Sequence, residues 1–227
     1  MTIKKIQDST YWAITLTALL LGNLVFGQDR WENTIQAFET ADSENPPPKN
    51  AILFVGSSSI VYWRTLSEDM VPLNVINRGF GGSQMHELNM YRDRIVTKYQ
   101  PKAVVVYEGD NDVAAGKSVD EIIPEYVSFI EHLNESLDKV DIYLIAVKPS
   151  IARATMWETM QAVNEQLFEL SKQHENVHYF DIASPMLQST GEVKDDIFVE
   201  DGLHMNAAGY EIWTNVIRPV LLEKYDE

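Results

Sequence analysis

Residues 51–60 read AILFVGSSSI, five apolar residues followed by a glycine, three serines and an isoleucine. A short run that is apolar at every position, as Ala51–Val55 is, is typical of a strand buried on both faces of a parallel sheet. The glycine permits a tight turn at the end of this strand, and the serines favour the start of a helix. The stretch therefore predicts the central strand–turn–helix unit of an α/β fold.

Further apolar runs and helical segments alternate along the rest of the chain. The other predicted strands are Leu73–Ile76, Ala103–Tyr107, Ile142–Val147 and the weaker Val177–Phe180. The predicted helices are Trp31–Ala41, Ser83–Tyr99, Ser118–Leu137, Thr155–His174 and a last one from about Asn206. This alternation predicts a three-layer α/β/α sandwich with a five-stranded parallel sheet. Because no repeat or linker interrupts residues 28–227, we expect them to form a single domain.

Three local signals refine the helix boundaries. Ser118 and Glu121 form a capping-box pattern at the start of one helix. We expect Pro124 to move the start of that helix a few residues later, because proline has no N–H to donate. For the same reason, Pro219 is expected to break or kink the last helix.

The first 27 residues have the layout of a secretory signal peptide. Lys4 and Lys5 form a short basic region, an apolar stretch covers Tyr11–Phe26, and a cleavage site could lie before Gln28. The apolar stretch is short and polar-interrupted for a transmembrane helix, and an uncleaved anchor is the alternative. The sequence thus predicts periplasmic localisation or secretion, with residues 28–227 as the mature domain.

The composition excludes several partners and chemistries. The chain has 34 acidic and 18 basic side chains and a formal net charge of -16. Nucleic acids and anionic membranes are bound by concentrated Lys and Arg, so we expect neither as a stable partner after signal cleavage. The 227 residues contain no cysteine, which excludes disulfides, thiolate nucleophiles and cysteine-bound metals. A covalent mechanism would need Ser, Thr, Lys or a carboxylate as nucleophile.

In an open parallel sheet, chemistry gathers in the loops after the carboxyl ends of the strands. Three segments follow predicted strands: GSSSI at 56–60, NRGFGGS at 77–83 and EGDND at 108–112. A fourth, DGLHMN at 201–206, is the turn before the last predicted helix. The first can expose a serine hydroxyl at a helix start, although alone it is more simply a helix cap. It is no Walker A loop, since no Gly-Lys-Ser/Thr follows, and Ile60 replaces the second glycine of a G-x-S-x-G elbow.

The other three segments also offer specific chemistry. The glycine loop can donate N–H groups to an anion, and Asn111 carries an amide donor for an oxyanion. Asp201 stands three residues before His204, so its carboxylate can orient the imidazole as a general base. A rival interpretation of EGDND is a metal site at Asp110 and Asp112, as in phosphatases of the haloacid dehalogenase type. Ordinary turns, including an acidic solvated one at EGDND, are the simplest alternative.

Taken in order, the four segments resemble the sequence blocks of the SGNH hydrolases, also called GDSL esterases and lipases. The resemblance covers about residues 51–210 and implies the flavodoxin-like fold of that family, with no metal or organic cofactor. The resemblance also implies that the chain is an enzyme that hydrolyses carboxylic esters with a serine nucleophile. The residue roles that the resemblance implies are Ser58 as nucleophile, His204 as general base, Asp201 as its partner, and Ser58, Gly82 and Asn111 as oxyanion donors.

One position departs from the family pattern. The family usually has Asp after the first glycine, where this chain has Ser57, so Ser57 and Ser59 stay open as alternative nucleophiles. His86, after the glycine loop, could line the substrate pocket. The remaining expectations are a surface position for His132, His174 and His178, and a pocket-rim position for Lys148, Pro149 and Arg153.

The substrate expectation also comes from resemblance. The two-glycine loop and compact size look like the platelet-activating-factor acetylhydrolase-like and carbohydrate acetylesterase-like branches. They imply a short acyl group, such as acetyl, on a carbohydrate or other alcohol, and the sequence has no long lid insertion to cover a fatty chain. The alternatives are a lipase or lysophospholipase of the same fold and a non-catalytic carbohydrate-binding protein.

Overall fold

Five parallel strands form the centre of the structure, a computed structural model that describes residues 30–226. The strands are β1 (Ile52–Gly56), β2 (Val75–Gly79), β3 (Ala103–Tyr107), β4 (Asp141–Ile145) and β5 (Val177–Phe180). Their order in the sheet is β2-β1-β3-β4-β5, and each neighbouring pair is parallel. The chain changes direction across the sheet between β1 and β3, so a crevice opens at the carboxyl ends of these two strands.

Helices follow or precede every strand of the described chain. They are α1 (Glu32–Glu44), α2 (Ser58–Val61), α3 (Leu66–Asp69), α4 (Met85–Ile95), α5 (Asp110–Ala114), α6 (Val119–Ser136), α7 (Trp157–Gln173) and α8 (Ala207–Tyr225). Single 3₁₀ turns lie at Thr97–Tyr99, Ala154–Met156 and Ser184–Met186. Within residues 30–226, no helix combines the length and apolar character that a membrane crossing requires. The predicted signal peptide and its cleavage site lie outside the described residues.

The helices cover both faces of the sheet. On one face, alternate strand residues such as Phe54 and Tyr107 join Trp213 of α8 in a buried cluster. Trp63, just after α2, packs edge-on against Phe54 with ring centroids 5.8 Å apart. On the other face α4 contacts α6 and α6 contacts α7, while α4 reaches β1 and α7 reaches β5. The structure is thus the three-layer α/β/α sandwich that the sequence predicts.

The strands match the predicted runs with small shifts. β3 and β5 have the predicted bounds, and β1 starts and ends one residue later than its apolar run. β2 begins at Val75 because the preceding Leu73 still belongs to a turn, where its N–H donates to the Met70 carbonyl at 2.8 Å. The apolar pattern locates each strand, and the neighbouring turns set its ends.

Pro124 does not shift the start of its helix, and Pro219 does not break the last one. α6 begins at Val119 and contains Pro124, since the N–H of Ser118 donates to Oε2 of Glu121 at 2.9 Å and holds the first turn. α8 continues through Pro219 to Tyr225 without the expected break. The core side chains of α8 on either side of Pro219 are fully buried, so packing maintains a helix that proline alone would interrupt.

Candidate active site

The turn after β1 places Ser58 at the carboxyl edge of the sheet. Gly56 has a φ of +132°, and a Cβ on it would lie 1.9 Å from the Tyr107 carbonyl oxygen, so glycine alone fits. The N–H of Ser57 donates to the same carbonyl at 3.1 Å. The chain then enters α2 at once, which leaves Ser58 partly exposed while Ser57 and Ser59 are 1% and 2% exposed.

Ser58, His204 and Asp201 form a chain of hydrogen bonds. The Nε2 atom of His204 is 3.0 Å from Oγ of Ser58, and its Nδ1 atom is 2.5 Å from Oδ2 of Asp201. An ionised carboxylate only accepts, so the imidazole proton lies on Nδ1 and Nε2 accepts from the serine hydroxyl. The structure therefore brings together the three residues that the sequence proposed, in the geometry that a general base requires.

Asp201 also builds the turn that carries the histidine. Its Oδ1 atom accepts the backbone N–H groups of Leu203 and His204, each at 2.8 Å. Burial raises the pKa of Asp201, but the hydrogen bonds from the His204 ring and from the two backbone groups lower it to about 2. The carboxylate is consequently ionised at neutral pH.

A second link ties the helix after His204 to the turn after Ser58. The hydroxyl of Tyr210, the fourth residue of α8, donates to the Ser59 carbonyl oxygen at 2.9 Å. The same ring stacks on Trp63 with centroids 5.5 Å apart and an interplanar angle of 26°. Buried core contacts therefore hold α8 and α2 together behind the candidate nucleophile and base.

The glycine loop lies directly beside Ser58. Phe80 is fully buried, and its N–H donates to the Gly56 carbonyl at 2.8 Å, which ties the loop to the turn of the nucleophile. A Cβ on Gly81 would be 3.8 Å from Cβ of Ser58. Gly82 has a φ of +81°, a conformation that glycine favours. The loop thus presents its backbone close to the serine, where the sequence placed an oxyanion donor.

Asn111, in the first turn of α5, is bonded to the last residue of the glycine loop. Its Nδ2 atom donates to the Ser83 carbonyl at 2.9 Å, and its Oδ1 atom accepts from Nη2 of Arg153 at 3.0 Å. An amide nitrogen carries two hydrogens, so the bond to Ser83 leaves capacity for one more donation. Asn111 can therefore contribute a hydrogen bond to an oxyanion.

The two aspartates considered for a metal are each paired with cations. Asp110 accepts from Lys148 at 2.9 Å and from Arg153, and Asp112 accepts from Lys117 at 2.9 Å. Burial raises the pKa of Asp110, but Lys148 and Arg153 outweigh it, and the pKa is lowered. Across residues 30–226 no three His, Asp or Glu side chains group as metal ligands would. This pairing favours a structural role for both carboxylates.

The acidic segment is not the solvated turn that sequence reasoning allowed. Glu108 is fully buried, and its Oε1 atom accepts from the Ser83 hydroxyl at 2.5 Å. Burial raises the pKa of Glu108 well above its ordinary value of 4.5. Nothing in the sequence distinguishes Glu108 from an exposed acid, because its burial and its bond from Ser83 arise only in the folded structure.

The pocket-rim expectation after β4 was wrong for two residues. Lys148, 1% exposed, turns inward to Asp110, and Pro149 is also buried. Arg153 is half-buried against Asn111, so it does lie at the site. The other four histidines are partly exposed, which agrees with the surface position expected for His132, His174 and His178. Nδ1 of His86 is 3.0 Å from Nζ of Lys117.

Sequence reasoning also missed Tyr62. Its ring stands edge-on to the His204 imidazole, with centroids 4.8 Å apart and an interplanar angle of 84°. Tyr62 is 44% exposed, so one side of the ring contacts the candidate base and the other faces solvent. Its spacing of four residues from Ser58, one helical turn, is the signal that could have placed it there.

Comparisons with known proteins agree with this geometry. The sequence profile of the GDSL-like lipase/acylhydrolase family matches residues 54–212. No curated protein sequence is significantly similar to the chain.

Three solved structures illustrate the shared fold. A protein of Streptococcus pneumonia described as a platelet activating factor has a TM-score of 0.75 at 20% identity, covering 91% of this chain and 99% of its own. A GDSL-like lipase of Bacteroides thetaiotaomicron has a TM-score of 0.72 at 20% identity, covering 83% and 97%. The acetylxylan esterase Axe2 of Geobacillus stearothermophilus has a TM-score of 0.62 at 17% identity, covering 78% and 94%.

The matched profile covers more than half of the chain. It contains all four candidate segments, which lie between residues 56 and 206. At identities of 17–20%, the solved structures establish the fold, which is the one the sequence implied. The chain therefore belongs to the GDSL-like lipase/acylhydrolase family, a family of carboxylic ester hydrolases.

Proposed function

We propose that this protein hydrolyses carboxylic esters through an acyl-enzyme on Ser58. The observation that carries the proposal is the hydrogen-bond chain from Asp201 through His204 to the Ser58 hydroxyl. Ser58 Oγ attacks the ester carbonyl carbon while its proton passes to Nε2 of His204. The ionised Asp201 stabilises the resulting imidazolium and keeps its ring oriented.

The remaining steps use the same groups in reverse. The alcohol leaves with the proton from Nε2, which leaves the acyl group on Ser58. Water then attacks the acyl-enzyme, His204 takes the proton of that water, and returns it to Oγ as the acid departs. Every proton in this cycle passes through His204, so no metal or organic cofactor is needed.

Three donors surround the position of the developing oxyanion. They are the backbone N–H groups of Ser58 and Gly82 and the side-chain amide of Asn111. Loss of a single donor of this kind costs about 10²- to 10³-fold in kcat. The proximity of the glycine loop to Ser58 and the donor capacity of Asn111 support this assignment.

For the substrate, we propose a short acyl ester, such as an acetyl group, on a carbohydrate or another alcohol. The site is shallow around the base, since Asp201 and Tyr62 are 46% and 44% exposed. An open site leaves room for a bulky or polymeric alcohol. It does not form a tunnel that would bind a long acyl chain. The structural likeness to an acetylxylan esterase is in keeping with this proposal.

The test is turnover of p-nitrophenyl esters from acetyl to dodecanoyl by the wild type and by Ser58→Ala. We expect the highest kcat/KM with acetyl, loss of turnover in Ser58→Ala, and no effect of EDTA. Ser57→Ala and Ser59→Ala serve as matched controls, because these neighbouring serines are buried. A preference for dodecanoyl would favour a lipase, and wild-type protein without turnover would favour a binding protein. Activity that survives Ser58→Ala would move the nucleophile elsewhere.

We also propose export of the protein, on the strength of the basic and apolar segments before Gln28. The test is the N-terminal sequence of the protein recovered from the periplasm or medium of a bacterial host. A chain that begins near Gln28 supports cleavage. A full-length chain that stays in the membrane fraction supports the uncleaved anchor.

A further inference from the structure

The side-chain amide of Asn111 has only one orientation that satisfies both of its neighbours. Nη2 of Arg153 approaches Oδ1 at 3.0 Å, and the carbonyl of Ser83 approaches Nδ2 at 2.9 Å. A guanidinium can only donate and a carbonyl can only accept. Rotation of the amide by half a turn would therefore set donor against donor and acceptor against acceptor. Arg153 and Ser83 together determine which end of Asn111 can donate to an oxyanion.

Arg153 is itself held in place by a buried cluster. Its Nη1 atom donates to Asp110, which also accepts from Lys148 at 2.9 Å and from the Tyr107 hydroxyl at 3.1 Å. Asp110 and Lys148 are 4% and 1% exposed, and the Arg153 side chain is 16% exposed. The guanidinium is thus anchored at both Nη1 and Nη2, unlike a mobile surface arginine.

The cluster places positive charge behind the candidate oxyanion donor. Two cations, Lys148 and Arg153, face a single carboxylate, Asp110, in a chain whose formal net charge is -16. A cation bonded to the carbonyl end of an amide polarises it and strengthens donation from the nitrogen end. Charge development on a substrate oxygen near Nδ2 would be stabilised both by this polarised bond and by the excess cation.

The segment that carries Arg153 also contacts the turn formed by residues 201–204, which holds the candidate base His204. The N–H of Ala152 donates to the Gly202 carbonyl at 3.1 Å, and Gly202 lies between Asp201 and Leu203. A Cβ on Gly202 would be 3.2 Å from Cβ of Ile151, so the two segments pack closely. The position of Arg153 is therefore fixed relative to the turn that holds His204 as well as to Asn111.

From these contacts we propose that Arg153 is a positioning residue that acts through Asn111, orienting and polarising its amide for transition-state stabilisation. The inference rests on the proposed function, because it needs Asn111 to contact the oxyanion. It differs from a purely structural role, in which Arg153 would only balance the charge of buried Asp110.

The test is a double-mutant cycle on p-nitrophenyl acetate with Arg153→Met, Asn111→Ala and the double variant. Rates are expressed per active site titrated with a fluorophosphonate, so that a loss of folded protein does not count as a loss of kcat. We expect Arg153→Met to lower kcat about 10- to 100-fold, somewhat less than loss of an oxyanion donor, with KM changed less than about twofold. In the Asn111→Ala background the same change should alter kcat less than about twofold.

Two further variants keep the experiment decisive. Arg153→Lys preserves the charge without the two-nitrogen contact and should recover only part of kcat, and it replaces Arg153→Met if that variant fails to fold. Arg218→Met is the matched control, because Arg218 donates to the Val71 carbonyl at 2.7 Å. Val71 precedes the amino end of β2, and the candidate site lies at the carboxyl ends of the strands. Arg218→Met should leave kcat unchanged.

The outcomes separate the inference from the proposed function. If Asn111→Ala itself has no effect on kcat, the oxyanion assignment fails. If Asn111→Ala lowers kcat but Arg153→Met lowers it by the same factor in both backgrounds, Arg153 acts independently and the inference is overturned. Full activity per titrated site in Arg153→Met, with a lower unfolding temperature, would also overturn it and leave a structural role.

Discussion

Replacement of Asp201 by asparagine tests the central hydrogen-bond chain most directly. Asparagine has nearly the same shape, and its Oδ1 atom can still accept the N–H groups of Leu203 and His204. Its Nδ2 atom would then face Nδ1 of the imidazole at the 2.5 Å contact. Because two donors cannot share this contact, the imidazole proton moves to Nε2, and the Ser58 hydroxyl loses its acceptor.

The size of the effect follows from the contacts that change. A hydrogen bond to a charged group is worth about 1.5–3 kcal/mol, and in a serine protease triad the corresponding asparagine, with its wrong tautomer, cost about 10⁴-fold in kcat. The Asp201 side chain is 46% exposed, so solvent weakens its electrostatic share. We therefore expect Asp201→Asn to lower kcat about 10²- to 10³-fold.

Comparison with Asp201→Ala separates the two roles of this carboxylate. Alanine loses the bonds to the backbone of Leu203 and His204 but leaves room for a water that accepts from Nδ1. Asp201→Ala should thus have a lower unfolding temperature than Asp201→Asn and a higher kcat per titrated active site. The assay is p-nitrophenyl acetate hydrolysis with fluorophosphonate titration and thermal unfolding. A kcat for Asp201→Asn within about fivefold of the wild type would refute the tautomer argument.

Three other expectations concern stability. Burial raises the pKa of Glu108, so the folded state binds its proton more tightly than the unfolded state, and the free energy of unfolding falls as pH rises above the ordinary pKa of 4.5. Glu108→Gln, which can still accept from Ser83, should remove this decline in denaturant titrations, and equal pH dependence of both proteins would contradict it. Gly56→Ala places a Cβ 1.9 Å from the Tyr107 carbonyl oxygen. It should lower the free energy of unfolding, measured with denaturant, by at least about 3 kcal/mol. A smaller loss would show that β1 and β3 can move apart. Asp42→Ala removes the carboxylate that accepts hydrogen bonds from Arg78, Lys98 and Tyr99. It should lower the free energy of unfolding by about 1–3 kcal/mol and leave kcat per titrated site unchanged. A changed kcat would instead connect α1 to the site.

The sequence predicted the parts of the fold that depend on local pattern. β3 has the bounds of its apolar run, since each of its residues is buried between two neighbouring strands. Pro124 and Pro219 show where local preference fails, because a cap or buried helix faces decide those positions. The short helix α5 was also missed, because its five residues are mostly polar and carry no periodicity.

The candidate site divides in the same way. Ser58 and Asn111 stand in recognisable segments at strand ends, so their convergence followed from the topology of a parallel sheet. His204 stands in a recognisable segment just before α8. Lys148 and Glu108 could not be placed, because a charged side chain is buried only where tertiary structure supplies its partner or covers it. Those partners come from segments far apart in the sequence, and a local pattern contains no information about them.

The link between Tyr210 and Ser59 has a consequence for the timing of biosynthesis. Ser58 belongs to the first strand unit to leave the ribosome, whereas His204 and α8 are made 146 residues later. Trp63 has no ring of Tyr210 to stack on until α8 docks. A nascent chain therefore carries its serine for most of translation without a base to activate it. Esterase activity should arise in one step, when the last helix closes the core.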